Sequence, residues 1–194
     1  MGNSGYIRQG WLVLVLAACF SAALAGVHIA LSPRIAANKR DETYRQVPAL
    51  VPGAVRDRTR EVRLAGRTVY EAIGADGRRV GWVVPAAGQG FADRIEVLIG
   101  LDAAGETIAG LWVLEQKETP GLGNKIVEDA FRGRFAGRSA RADLTVTKAA
   151  PATGQQILAV TGATISSESV CKIVNQAVRD FRAARSATEA GHAQ

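Results

Sequence analysis

The sequence predicts an α+β fold in which one N-terminal transmembrane helix is followed by an antiparallel sheet flanked by helices. Three observations predict it. Residues 11–31, WLVLVLAACFSAALAGVHIAL, run without an Asp, Glu, Lys or Arg. Short apolar runs separated by Gly-rich breaks then fill residues 69–118, the mark of a meander. A stretch with apolar residues at helical spacing follows near the C-terminus.

The apolar run, at about 1.5 Å per residue, reaches across the hydrocarbon core of a bilayer. It is either a retained anchor or a signal peptide cleaved after Ala23, Leu24 and Ala25, with Arg8 as the basic flank. The anchor is favoured because the run continues through Val27, Ile29 and Leu31. Both readings export the remainder. The charge flanks oppose them, since Arg34, Lys39, Arg40 and Arg45 follow the span and Arg8 alone of the basic side chains precedes it. His28, near the end of the span, suits an interfacial position.

After Pro33 a polar stretch reads as a helical stalk that Pro48, Pro52 and Gly53 break. Within the meander, Ile95, Val97, Ile99 and Leu101 alternate and predict one inward face. Residues 108–114 are apolar on both faces and predict a central strand. PAAGQG at 85–90 reads as a turn. Residues 124–135 read as a short helix with Ile126, Val127, Ala130 and Phe131 on one side, and 144–147 and 157–160 as brief strands. The last helix presents Val170, Ile173, Val174, Ala177, Val178 and Phe181. The resulting divisions are a cytoplasmic N-terminus at 1–10, the span at 11–31, stalk and linker at 32–60, the folded domain at 61–185 and a flexible tail at 186–194.

Composition narrows the chemistry. The chain has 194 residues, 47% hydrophobic and 22% charged, which allows one packed domain plus an appendage. The net charge of +6 suits anionic lipid, a phosphorylated cofactor or nucleic acid equally. Cys19 and Cys171 lie far apart, and His28 and His192 are the only imidazoles, which argues against a disulfide framework, a zinc hydrolase and a Ser-His-Asp triad. Redox chemistry must come from a bound organic cofactor or from partners. Cys171 reads as a buried, inert thiol, and Trp82 and Trp112 as core. Gly88 and Gly90 lack the third glycine and the helix of a dinucleotide site.

The most informative segment is VTGATISS at 160–167, between a brief strand and the last helix. Free backbone N–H groups at a helix start attract anions, and Gly162 permits close approach of a phosphate. The plainer reading is that Ser166 or Ser167 caps the helix; the two roles can coexist.

TGATISS resembles the flavinylation motif of the FMN-binding domains in the G subunit of the Rnf electron transport complex and the C subunit of the sodium-translocating NADH:quinone reductase. In those families the last Thr of the motif is esterified to the phosphate of FMN, which implies Thr164 as acceptor, with Thr161 the lesser alternative. The run LEQKETPGLGNK at 114–125 resembles the loop of the Rnf G subunit that borders the flavin. Pro120 and Gly121 suit a tight turn, Gly121 and Gly123 leave room for a flat ligand, and Lys117 and Lys125 could face negative charge on it.

The resemblance therefore implies a cofactor site built from Thr161, Gly162, Ala163, Thr164, Ser166, Ser167, Glu118, Thr119, Gly121, Leu122, Gly123 and Lys125, with no metal. One position departs from the pattern: the family places Asp three residues before the motif's first Thr, and this chain has Leu158. The resemblance implies an electron-relaying redox subunit without turnover of its own, carrying covalent FMN, with its domain on the outer face of the inner membrane. Implied partners are the other membrane and soluble subunits of an Rnf-type complex, a flavin transferase and the lipid bilayer, and no nucleic acid. The rivals are a non-redox anchored adaptor that has lost the flavin, and a regulatory FMN-binding membrane protein.

Overall fold

The computed structural model describes residues 4–150 and 154–192; residues 1–3 of the expected N-terminal segment and 193–194 of the expected tail lie outside them. Helix α1 covers Ser4–Leu50. Its most apolar 18-residue window has a mean hydropathy of 2.3 with none of it buried, so by length and composition it can cross a membrane. Pro33 leaves the helix assignment unbroken, and the Ser32 hydroxyl donates to the His28 carbonyl at 2.6 Å.

A compact unit begins at Glu42. Its centre is an antiparallel sheet in the order β1 (Arg60–Leu64), β2 (Arg67–Ile73), β3 (Arg79–Gln89), β4 (Arg94–Asp102) and β5 (Ile108–Glu115). Three short helical turns follow, Gly123–Val127, α2 at Asp129–Arg132, and Gly133–Phe135. Next come the parallel pair β6 (Thr145–Thr147) and β7 (Gln156–Leu158), then α3 (Thr164–His192).

The sheet is buried on both faces. Ile95, Val97, Ile99 and Leu101 do share one face, at most 1% exposed, with Val170, Val174, Val178 and Phe181 of α3 in the same core. On the other face Val47, Leu50 and Val51, from the end of α1 and just after it, join Tyr70, Ala72, Val83 and Leu98. The end of the expected stalk is thus core. Glycine makes that seat: a Cβ at Gly100 would stand 2.4 Å from the Leu50 carbonyl oxygen, and one at Gly81 2.6 Å from Val51 Cγ1.

Several expectations are corrected. The 108–114 strand is not central but the edge of the sheet. It is apolar on both faces because each face is covered, and its outer edge is sealed where Ile108 N–H donates to the Arg138 carbonyl and Gly137 N–H to the Ile108 carbonyl, both at 2.8 Å. The expected turn at 85–90 is largely strand. Pro85 pairs with Leu98 beyond the last residue of β3 that pairs with β2, where no ladder needs its missing N–H. The 124–135 helix is broken, since Glu128 is extended (φ −69, ψ 143); Ile126 and Phe131 are buried, whereas Val127 and Ala130 are exposed. Residues 186–192 continue α3 instead of forming a tail, with the Ser186 and Thr188 hydroxyls donating to the carbonyls of Arg182 and Ala184.

Candidate functional site

Thr164 is the first residue of α3, half-buried, after a turn in which Gly162 takes φ +81. The first intrahelical bond runs from Ser167 N–H to the Ala163 carbonyl at 2.9 Å. The amides of Thr164, Ile165 and Ser166 therefore precede it and have no intrahelical acceptor. The serines do not cap them. Ser167 Oγ donates to the Ala163 carbonyl at 2.8 Å and accepts from Val160 N–H at 3.2 Å, closing the turn. Ser166 Oγ points the other way and donates to Glu118 Oε2 at 2.5 Å.

Glu118 joins three chain segments. It is 4% exposed, its Oε1 accepts from Ala92 N–H at 3.1 Å, and its own N–H donates to Gln116 Oε1 at 2.6 Å. Glycine allows the close fit: a Cβ at Gly90 would lie 2.3 Å from Oε1, and one at Gly123 2.9 Å from Oε2 and 2.8 Å from Ser166 Oγ. One carboxyl group thus holds together the β3–β4 turn, the loop after β5 and the first turn of α3. Lys117 adds a surface tie between the first two, its Nζ 3.7 Å from Asp93 Oδ2.

Where the three segments meet they border an open cavity of about 380 Å³. Thr119, Leu122, Gly123, Gly162, Ala163, Thr164 and Ser166, all expected at the site, line it. Thr161, Ser167, Glu118, Gly121 and Lys125 do not; Glu118 and Ser167 brace the lining from behind. Two lining residues, Phe91 and Ile165, were missed by sequence reasoning. A lone aromatic in the polar turn GFADR and an isoleucine pointing out of a helix start were the available signals. Among the described residues beyond α1, the exposed large apolar side chains are Phe91, Leu122, Val127 and Ile165, and all but Val127 line this cavity. Trp82 lies elsewhere, buried edge-on against Phe181 at 5.4 Å, and Trp112 is stacked by Arg132 at 3.9 Å.

This is a place for an amphipathic ligand with a flat apolar part and an anionic end. Phe91, Leu122 and Ile165 offer the apolar surface, while uncommitted amides and the positive end of α3 face the anion. The donor set fits FMN.

Residues 90–179 match the family model of the FMN-binding domain, a span that contains every residue lining the cavity. Over 155 residues the chain is 34% identical to the G subunit of the proton-translocating ferredoxin:NAD(+) oxidoreductase complex of Clostridium ljungdahlii, covering 80% of each chain. The chain belongs to the G-subunit family of Rnf-type ion-translocating oxidoreductases. A second member, the G subunit of the ion-translocating oxidoreductase complex of Methanosarcina acetivorans, is 37% identical over 109 residues, 56% of this chain and 55% of that one. Among solved structures, the C subunit of the sodium-translocating NADH-quinone reductase of Parabacteroides distasonis superposes with a TM-score of 0.51 at 25% identity, over 57% of this chain and 58% of that one. Shewanella oneidensis NqrC gives the same TM-score at 22% identity, over 56% and 54%, a likeness of fold. The chain thus spans just over half of these two solved structures and four-fifths of its Clostridium relative. Membership of the G-subunit family accounts for both halves of the sequence signal, the loop after β5 and the start of α3, which the fold brings onto one cavity.

Proposed function

We propose that this Rnf-type chain carries FMN at the Glu118-braced cavity, joined by a phosphoester to the Thr164 hydroxyl, and relays electrons within a membrane-bound ion-translocating complex. The observation that carries the reading is the position of Thr164: a hydroxyl at the first residue of α3, flanked by amides without intrahelical acceptors, on a cavity rimmed by Phe91, Leu122 and Ile165. FMN when bound supplies the redox chemistry. The chain's residues orient and retain it. The α3 amides and dipole would hold its phosphate, Phe91, Leu122 and Ile165 would offer apolar surface to its ring, and Glu118 fixes the walls relative to one another. A cavity this open would release a dissociable cofactor, and the ester prevents that. A flavin transferase would make the bond by attack of the Thr164 oxygen on the flavin phosphorus of an activated flavin donor, the donor's P–O bond breaking and its leaving group taking up the hydroxyl proton; the other subunits of the complex would supply and accept electrons, and the domain would lie on the outer face of the inner membrane.

Coexpression with a flavin transferase, followed by intact mass and fluorescence in a denaturing gel, tests the attachment. Wild type and Thr161→Ala keep a fluorescent band heavier by one FMN less the water lost in forming the ester; Thr164→Ala does not. Persistent fluorescence in Thr164→Ala would remove the assignment. Leu158 favours a second reading, an anchored adaptor without flavin. It ends β7, where its carbonyl accepts from Arg134. A wild type that never acquires flavin while Leu158→Asp does would support that reading.

A further inference from the structure

Besides tying three segments together, Glu118 stands directly behind the wall of the cavity. Ser166, whose hydroxyl donates to Glu118 Oε2 at 2.5 Å, lines the cavity, and so does Gly123, where a Cβ would lie 2.9 Å from the same oxygen. One hydroxyl and one glycine therefore separate the carboxyl group from whatever occupies the site.

This group carries a charge that the protein leaves unpaired. Both oxygens accept hydrogen bonds, Oε1 from Ala92 N–H at 3.1 Å and Oε2 from Ser166, the acceptor-only pattern of an ionised carboxylate. Its sequence neighbour Lys117 is turned to Asp93, 3.7 Å away, and among the described residues Glu118 forms no ion pair with a Lys or Arg. None of the residues lining the cavity is charged, and Lys117 and Lys125 lie outside the lining. At 4% exposure, water screens the carboxylate little, so its field crosses Ser166 and Gly123 into the cavity. The amides and dipole of α3 act on the same contents, but substitution of Glu118 leaves them in place.

We infer that Glu118, on the reading that FMN occupies this cavity, sets the flavin's midpoint potential and holds it low by opposing the negative charge that reduction adds. At neutral pH, reduction gives bound FMN two electrons from the reductant and one proton from solvent, taken up at ring nitrogen N5, and leaves the ring one charge more negative. A fixed carboxylate nearby raises the free energy of that product relative to the oxidised ring.

The test is anaerobic titration of the full, flavin-loaded chain in detergent with dithionite against a reference dye, read by flavin absorbance. Glu118→Gln keeps the shape and loses the charge; it is expected to shift the equilibrium at least ten-fold toward reduced flavin, a rise of about 30 mV for a two-electron couple. Glu118→Ala, which loses the charge and the ties together, moves the potential the same way in the fraction that holds flavin. Asp93→Asn removes an exposed carboxylate of the same turn, already paired with Lys117, and moves the equilibrium less than about two-fold. An unchanged potential in Glu118→Gln, a rise confined to Glu118→Ala, or loss of flavin from both variants assigns Glu118 to geometry alone and overturns the inference, while flavin in wild type keeps the underlying reading intact. An equal shift in Asp93→Asn overturns it too, because an exposed carboxylate would then serve as well. A wild type that takes up no FMN, covalent or dissociable, withdraws the flavin reading and this inference with it.

Discussion

Glu118 is the residue on which the site's geometry turns, because both of its carboxyl oxygens accept hydrogen bonds from separate segments. Glu118→Ala leaves the Ser166 hydroxyl and the Ala92 N–H without their partner; Ser166 is 3% exposed, so its hydroxyl costs about 1–3 kcal/mol when left unpaired, whereas Ala92 is exposed and its N–H can turn to water. Glu118→Gln keeps one oxygen for Ala92 and offers Ser166, whose hydroxyl can turn to accept, an N–H instead. The expected result is a large drop in thermal midpoint and in flavin occupancy for the alanine variant and a small one for glutamine; equal losses would assign Glu118 no bracing role. Cys171 gives a second residue-level prediction. Burial first, and then the nearby Glu168 charge, push its thiol up from 9.0 to about 12. At pH 8 a shift of that size lowers the thiolate fraction on the order of 1000-fold, so in a Cys19→Ser background alkylation should be at least about 100-fold slower in the native than in the denatured chain. The unfolded thiol ionises from about pH 9 while the folded one stays protonated, so stability falls as pH rises from 9 toward 12, and Cys171→Ala should flatten that slope. Thr164, Gly162 and Gly123 were legible from motif chemistry, as was the burial of Cys171. The bracing role of Glu118 was not, because it depends on Ala92 and Ser166, 26 and 48 positions away.

Short apolar runs between Gly-rich turns declared themselves. Residues 67–73 and 94–102 form strands close to where those runs place them, the second with the alternation of Ile95, Val97, Ile99 and Leu101. Strand β1 was not read at all, because its sequence REVRL is mostly charged and carries no apolar period; it is half-exposed and needs little apolar surface. The edge position of β5 was misread because apolarity reports coverage of faces, not the number of neighbouring strands. The seat of α1 on the sheet was also hidden, since it is made by glycines that leave no hydrophobic signal. Gly100→Ala would drive a methyl group against the Leu50 carbonyl, 2.4 Å away. Overpacking of this kind costs about 1–3 kcal/mol, and here it should loosen the end of α1. The expected outcome is a lower thermal midpoint with faster tryptic cleavage after Arg45; an unchanged cleavage rate would show that the strands yield instead.

At the scale of the whole molecule, sidedness is the open test, because basic residues after the apolar run oppose export while long domains cross largely regardless of their charge. A reporter active only outside the cytoplasm, fused after Gln194, is expected to be active. An inactive reporter on an intact, membrane-bound fusion would place the domain on the cytoplasmic side and withdraw the proposed outer-face position. The order of elements bears on the same question through biogenesis. The sheet is complete at Glu115, yet α3, which covers one of its faces, starts only at Thr164, about 50 residues later. At a synthesis rate of about 5–20 residues per second, the growing chain spends several seconds with Ile95, Val97, Ile99 and Leu101 uncovered. One apolar face of the sheet thus waits for its cover until α3 has been made, and exposed surface of that kind during synthesis is what holding chaperones bind.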